Sequence, residues 1–324
     1  LTDDTSHFSR TIGMTKVAII GSGLIGRSWA IVFARGGYTV SLWDPQAAAV
    51  PAALDFIARR LPELAAAGLL QGREPAEVLA VIKGAETLEA ALAGADYVQE
   101  NGPERLDEKR ALFARMDAIA GPGTILGSST STIRASLFTE ALAGRSRCLV
   151  AHPVNPPYLI PLVELSPAPW TDPAAVTRVR ALMQAVGMVP VLVKREVSGF
   201  ILNRLQAALL QEALHLVEAG IADPADIDAT VKDGLGLRWS FMGPFETIDL
   251  NAPGGLADYC ARYGGSFREM MSQSAPPSWS GEAIGTLHEA QRSLTPADDH
   301  AARQEWRDRR LMALLAHKAS QPGA

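Results

Sequence analysis

Cysteine is nearly missing from this chain: among 324 residues there are two, Cys148 and Cys260. Two isolated thiols supply neither a metal-ligand spacing nor a disulfide framework. The apolar run CLVA around Cys148 suits a reduced, buried thiol, which points to the cytoplasm. Long apolar runs are missing too. Stretches such as 47–53 and 207–210 fall well short of the ~20 residues that span a bilayer, so no membrane partner is expected. Nor is there a dense basic run, and 30 Lys+Arg against 35 Asp+Glu leave a net charge of −5, which argues against a nucleic-acid partner. No segment repeats at a fixed period. What is present is globular in character. A hydrophobic content of 48% with 20% charged residues excludes disorder and collagen-like repetition, and the length suits two domains.

The first thirteen residues, LTDDTSHFSRTIG, are polar and lack the apolar core of a secretory signal, so residues 1–13 read as a tail or an engineered remnant ahead of Met14. From 16 to about 197, short β-branched runs alternate with longer amphipathic stretches. The runs are KVAII, TVSLWD, DYVQE, TILGS, CLVAH, LVEL and VPVLV, and helices are expected at 24–35, 46–66, 75–83, 104–120, 133–143 and 173–186. That order predicts an α/β domain over 14–197, a doubly wound, mostly parallel sheet wrapped by helices. After 198 the strand signals fade, and helical patterns at 199–219, 224–234, 243–262 and 296–317 predict an all-α C-terminal domain over 198–324.

The first chemical motif is Gly21-Ser22-Gly23-Leu24-Ile25-Gly26. A bare GxGxxG is a weak signal, but this one leaves the strand KVAII and opens a helix, as in Rossmann-type domains. There Gly21 makes the tight turn, Gly23 lets a pyrophosphate approach the backbone, Leu24 and Ile25 begin the helix, and Gly26 lets helix and strand pack closely. Asp44, 18 residues after Gly26, ends the second strand, where a carboxylate accepts from the adenosine ribose hydroxyls and repels a 2′-phosphate. Trp43, Pro45 and Gln46 beside it bring no cation. NAD is therefore the expected cofactor, with FAD a minor alternative.

The second constellation is His152 at a strand end before the stiff loop PVNPP, with Glu164 twelve residues on and Asn203 in SGFILNR. Twelve residues allow the chain to turn back and present a carboxylate to the imidazole, fixing its tautomer and stabilising an imidazolium.

These segments together resemble the 3-hydroxyacyl-CoA dehydrogenase family. Within it they are similar to the branch containing lambda-crystallin, L-gulonate 3-dehydrogenase. The likeness runs from about residue 16 to 317, and is carried by VAIIGSGLIGRSWAIVFARGGY, AHPVNPPYLIPLVEL, GFILNRLQ, DGLGLRWSFMGPFET and AARQEWRD. The resemblance implies His152 as general base, Glu164 as its partner, Asn203 holding the histidine or the substrate oxygen, and Ser131 hydrogen-bonding the reacting oxygen. It further implies cofactor contacts from Glu104, Lys109 and Asn155, and from Ser129 on the nicotinamide side, where the general family usually has Asn. A homodimer through the helical domain is also implied.

Three functions compete: an NAD-dependent dehydrogenase of a small hydroxy acid such as L-gulonate, a dehydrogenase of 3-hydroxybutyryl-CoA or of carnitine, and a non-catalytic crystallin-like protein. The intact His152, Glu164, Asn203 and Ser131 argue against the last. Family helices that approach CoA tend to be lysine-rich, whereas 54–85 holds only Arg59, Arg60, Arg73 and Lys83 among several acids, which favours the small acid. Such a substrate needs a cation for its carboxylate. Arg238 is the candidate, expected at a helix end and turn because glycines precede it.

Overall fold

The computed structural model describes residues 14–321 apart from 278, 280 and 281, so the expected tail 1–13 lies outside the described residues. The first part of the chain runs β1 (Lys16–Ile20), α1 (Leu24–Arg35), β2 (Thr39–Trp43), α2 (Ala49–Ala66), α3 (Pro75–Ala80), β3 (Ile82–Gly84), α4 (Leu88–Leu92), β4 (Tyr97–Glu100) and α5 (Leu106–Ile119). It continues through β5 (Ile125–Ser128), α6 (Ser136–Thr139), β6 (Cys148–Pro153), β7 (Leu162–Pro167), α7 (Pro173–Ala185) and β8 (Val189–Leu192). The eight strands form one sheet in the order β3-β2-β1-β4-β5-β6-β7-β8. Every neighbouring pair is parallel except β6 and β7, which run antiparallel.

Parallel strands of this kind are covered on both faces, so their sequences read as continuous apolar runs. In β1, Val17 and Ile19 point into one apolar cluster with Trp29, Val32 and Phe33 of α1, while Ala18 and Ile20 point into the other with Val98, Phe113 and Leu126. The helix starts follow local chemistry. Asp172 accepts from the Ala174 N–H with Pro173 in the first turn of α7, and the Thr87 hydroxyl accepts from Ala90 N–H at the start of α4. Cys148 is buried at the start of β6, and burial pushes its thiol up to about 12, whereas Cys260 is exposed.

Beyond 198 the described chain holds no strand. It forms α8 (Leu202–Glu218), α9 (Pro224–Ala229), a π-helical stretch Thr230–Leu235, α10 (Gly236–Trp239), α11 (Pro244–Asp249), α12 (Gly255–Gln273), α13 (Glu282–Leu294) and α14 (His300–Ala319). No described helix is long and apolar enough to cross a membrane.

Several expectations are corrected. The helix expected over 75–83 stops at Ala80, because Ile82 to Gly84 pair with β2 as an edge strand. The stretch 133–143 keeps a single turn, α6. The helix expected over 243–262 is two, parted around Pro253, and α13 was not foreseen. By packing, the first unit also takes in residues up to Asn203, because Phe200 is fully buried in the sheet's own core beside Val197. Leu311–Ala316 of α14 also belong to the first unit, where Met312 is buried and Leu311 and Leu315 pack on its core.

Candidate active site

The turn after β1 is built as its glycines suggest. Gly21 has φ +91°, and a Cβ there would stand 2.8 Å from the Asn101 carbonyl oxygen. At Gly26 a Cβ would lie 1.8 Å from the Gly21 carbonyl oxygen, so only glycine lets α1 meet the turn. A Cβ on Gly23 would meet nothing within 4 Å, so this position opens onto free space. Gly21 and Gly23, with Asp44, Asn101 and Leu112, line a cavity of about 550 Å³. Gly23 precedes Leu24 and Ile25 at the start of α1, and no side chain caps that helix. Its first N–H groups and the positive end of its dipole are thus left for an anion, which fits a dinucleotide pyrophosphate.

Asp44 stands half-buried in the same cavity. Its Oδ2 accepts from Ser22 N–H (2.8 Å) and the Ser22 hydroxyl (3.2 Å), and its Oδ1 from Gln46 N–H (2.9 Å). These bonds orient the carboxylate at the end of β2. The cavity wall also carries Arg105 and Arg115 of the α5 region, two cations that the neighbours of Asp44 in sequence could not reveal. Arg105 pairs with Glu108 at 2.7 Å.

The second cluster lies at the antiparallel pair. His152 of β6 and Glu164 of β7 are cross-strand partners, and the imidazole Nδ1 is 2.9 Å from Glu164 Oε2. Glu164 is fully buried. Its other oxygen, Oε1, accepts from the N–H groups of Ile201 (2.7 Å) and Leu202 (2.9 Å) at the start of α8. Burial alone would raise this carboxyl. The bonds from His152, Leu202 and Ile201 outweigh it and hold the group below the usual carboxylate range. Phe200, in the left-handed region at φ +50°, packs its ring 5.4 Å from the imidazole. A bulky side chain there is held against its backbone preference, between the glycine at 199 and the carboxylate-capped helix.

A third cluster is the loop after β5. Glu104 Oε1 accepts from the Thr130 hydroxyl (2.6 Å), Ser131 N–H (3.0 Å), Thr132 N–H (2.9 Å) and the Thr132 hydroxyl (3.0 Å). Partial burial opposes its ionisation, but the bonds from Thr130 and Thr132, with the Lys109 charge, draw its pKa down. Asn203 Nδ2 donates to the Ser131 carbonyl at 2.9 Å. Ser131 is thus held at both its backbone groups while its side chain is exposed.

The structure corrects the bonding expected of Ser129 and Asn203 and defines the surroundings of Lys109 and Arg238. Lys109 lies on the wall of the same cavity as Gly21 and Asp44, with its ammonium held by Glu100 Oε1 (2.9 Å), Glu100 Oε2 (2.8 Å) and the Ser128 hydroxyl (3.4 Å). These three bonds take its three protons. Ser129 was expected on the nicotinamide side. Its hydroxyl instead accepts from Trp29 and Gln99 and donates to Asn101, which uses its one proton and both lone pairs. Asn203 meets Ser131, not the imidazole. Arg238 sits exposed in the last turn of α10, which ends at Trp239 before a turn at Ser240, as expected, although the glycines ahead of it lie inside a continuous helical run from Pro224. A Cβ on Gly236 would stand 2.9 Å from the Val231 carbonyl oxygen, so this glycine serves the widened π-turn. Asn155 is exposed just after β6. No group of three or more His, Cys, Asp and Glu among the described residues could hold a metal.

A mostly parallel sheet with a glycine turn, an uncapped helix and a carboxylate at the end of the second strand, together with a His–Glu pair, fits the class of NAD-dependent dehydrogenases. Residues 16–197 match the 3-hydroxyacyl-CoA dehydrogenase NAD binding domain, and 199–284 its C-terminal domain. The chain belongs to the 3-hydroxyacyl-CoA dehydrogenase family and is an NAD-dependent oxidoreductase acting on a CH–OH group. It is 46% identical to lambda-crystallin of Oryctolagus cuniculus over 306 residues, covering 93% of this chain and 96% of that one. It is 40% identical over 263 residues to L-carnitine dehydrogenase of Streptomyces coelicolor, covering 81% of each. Among solved structures, an NAD+-dependent 5-formyl-3-hydroxy-2-methylpyridine 4-carboxylic acid 5-dehydrogenase is 28% identical with TM-score 0.80, covering 95% of this chain and 99% of that one. The family resemblance read from the motifs is borne out.

Proposed function

We propose that this enzyme oxidises the secondary 3-hydroxyl of a small free hydroxy acid, L-gulonate or a close analogue, with His152 as general base. The observation that carries the reading is the division of labour at Glu164. One oxygen is committed to two backbone N–H donors, so the other must accept from Nδ1 of His152. The proton of the neutral ring then sits on Nδ1, and Nε2 is left with its lone pair to take the alcohol proton. As it does so, the imidazolium forms beside a buried carboxylate. Ser131 presents its hydroxyl to the reacting oxygen, and Asn203 steadies that serine through its carbonyl. Bound NAD supplies the hydride acceptor. Asp44 receives the adenosine ribose, and Asn155 stands on the nicotinamide or substrate side.

The choice of a free acid over a CoA thioester rests on the shortage of available cations. Of the four over 54–85, Arg60 is buried and paired with Glu63, and Arg73 Nε donates to the Arg35 carbonyl at 3.0 Å. The relative named L-carnitine dehydrogenase likewise has a small free molecule, not a CoA thioester, in its name. Arg238 is assigned the substrate carboxylate, since a guanidinium grips both oxygens at once. A reducing compartment such as the cytoplasm suits the unpaired thiols.

The deciding experiment is NADH production across L-gulonate, 3-hydroxybutyrate, L-carnitine and 3-hydroxybutyryl-CoA, repeated with Arg238→Met. Highest kcat/KM on a free acid is expected, falling roughly 10- to 150-fold in the variant, as for loss of a hydrogen bond to a charged group. A far better rate with the thioester, or an Arg238→Met enzyme indifferent to the acid, would sink the assignment.

A further inference from the structure

Five side chains from three separate stretches of the chain close into a hydrogen-bonded network beside the cofactor cavity. Trp29 Nε1 donates to the Ser129 hydroxyl at 3.0 Å, and Gln99 Nε2 donates to the same oxygen at 2.6 Å. That hydroxyl donates to Asn101 Oδ1 at 2.7 Å. The second Nε2 proton of Gln99 goes to the Ala151 carbonyl at 3.0 Å, and its Oε1 accepts from the Tyr97 hydroxyl. Asn101 Nδ2 donates to the Gln99 carbonyl at 2.8 Å and the Ile20 carbonyl at 3.3 Å.

The valences are used up. Ser129 has no proton or lone pair left, and both amide protons of Gln99 and of Asn101 are taken. Such a closed set is worth having in a half-buried place, since each unpaired member would carry its full desolvation penalty. The backbone makes room for it: a Cβ on Gly127 would lie 2.1 Å from the Tyr97 hydroxyl oxygen, so glycine there lets Tyr97 reach Gln99.

The backbone anchors are the informative part. Ile20 is the residue before Gly21 of the cofactor turn, Ala151 is the residue before His152, and Ser129 is two residues before Ser131. We propose that Ser129, Gln99 and Trp29 are positioning residues that lock three strand ends in register, so that cofactor turn, serine loop and His152 share one frame. Ser129 does not contact the cofactor. The part concerning His152 and Ser131 rests on the function proposed above.

The test uses the full chain with Ser129→Ala, Ser129→Thr, Gln99→Met, Trp29→Phe and the double Ser129→Ala/Trp29→Phe. Trp29→Phe keeps the ring that stacks on Phe33 and loses only the Nε1 donor, so it should fold. Calorimetric titration should find any weakening of NAD binding modest and shared alike by the Ser129→Ala, Gln99→Met and Trp29→Phe variants, since the network holds the cofactor turn without touching the cofactor. With the best substrate of the panel, kcat should fall about tenfold in Ser129→Ala and in Gln99→Met, and return largely in Ser129→Thr, which keeps the hydroxyl. In melting temperature the Trp29 change should cost less on the Ser129→Ala background than alone, the mark of a shared bond. Weaker NAD binding confined to the Ser129 variants would overturn the proposal, as would additive melting shifts or an unchanged kcat. Should no panel substrate turn over, the function fails, while NAD affinity and the melting cycle still judge the network.

Discussion

A carboxamide in place of Glu164 would be turned by its surroundings. The Ile201 and Leu202 N–H groups demand an oxygen, so Glu164→Gln would aim its NH2 at Nδ1 of His152. That forces the ring proton onto Nε2, the nitrogen proposed to act as base, with the fold kept. We therefore expect kcat to fall by ~10²–10⁴, as for loss of a positioned general base, and His152→Ala to do the same, both with NAD affinity retained. Near-normal turnover in either variant would place the base elsewhere. The same residue shapes acid stability. Its carboxyl is held below the ordinary range in the folded chain, so its contribution is present above the unfolded carboxylate pKa and is lost as pH falls through the folded one. Glu104 adds in the same direction. Melting curves from pH 7 downward should steepen below about pH 4, and Glu164→Gln should flatten that fall. At this scale the His152–Glu164 pair was legible because twelve residues between two strands bring register partners together. The bonding of Lys109 and Ser129 was not. Their partners Glu100, Trp29 and Gln99 come from other strands and helices, and a charged or hydroxyl side chain in sequence does not show that its valences are already filled.

Between residue and molecule stands the strand-turn-helix unit, where neighbouring glycines have separable duties. Gly26 is a packing glycine and Gly23 faces open space, so substituting alanine at each should have opposite signatures. Gly26→Ala should lower the melting temperature, because its Cβ meets backbone that cannot yield. Gly23→Ala should leave the melting temperature near the parent and weaken NAD, since its methyl stands where the pyrophosphate approaches. Calorimetry of both variants with and without NAD checks this, and unaltered NAD affinity in Gly23→Ala would remove the cradle from that turn. Strand-length apolar runs made most elements readable. What stayed hidden were elements that tertiary pairing creates: β3, whose IKG has one apolar residue and extends only because β2 offers an edge, and α6, cut to one turn where the loop around Ser131 is tied to Glu104.

At the scale of the whole chain, the two units differ in how they meet water. The first buries most of its large apolar residues in two clusters on the faces of the sheet, whereas the second leaves a run of large ones bare: Leu237 at 66%, Phe241 at 68%, Phe245 at 75% and Leu250 at 67% exposed. Four such residues fall within fourteen positions, on α10, α11 and their connections, and exposed apolar residues grouped in this way are a feature of surfaces that partners cover. We propose a second copy of the chain as the cover. Self-association by a two-fold axis brings the same apolar residues from both sides, and needs no partner beyond the chain itself. Sedimentation equilibrium should then give twice the chain's 34.5 kDa. Phe245→Asp, which sets a charge on each side of the symmetric contact, should shift the protein to the single-chain mass. NAD affinity should persist, because the glycine turn and Asp44 belong to the first unit. A parent protein sedimenting only as one chain would leave these residues to another occupant and remove the dimer.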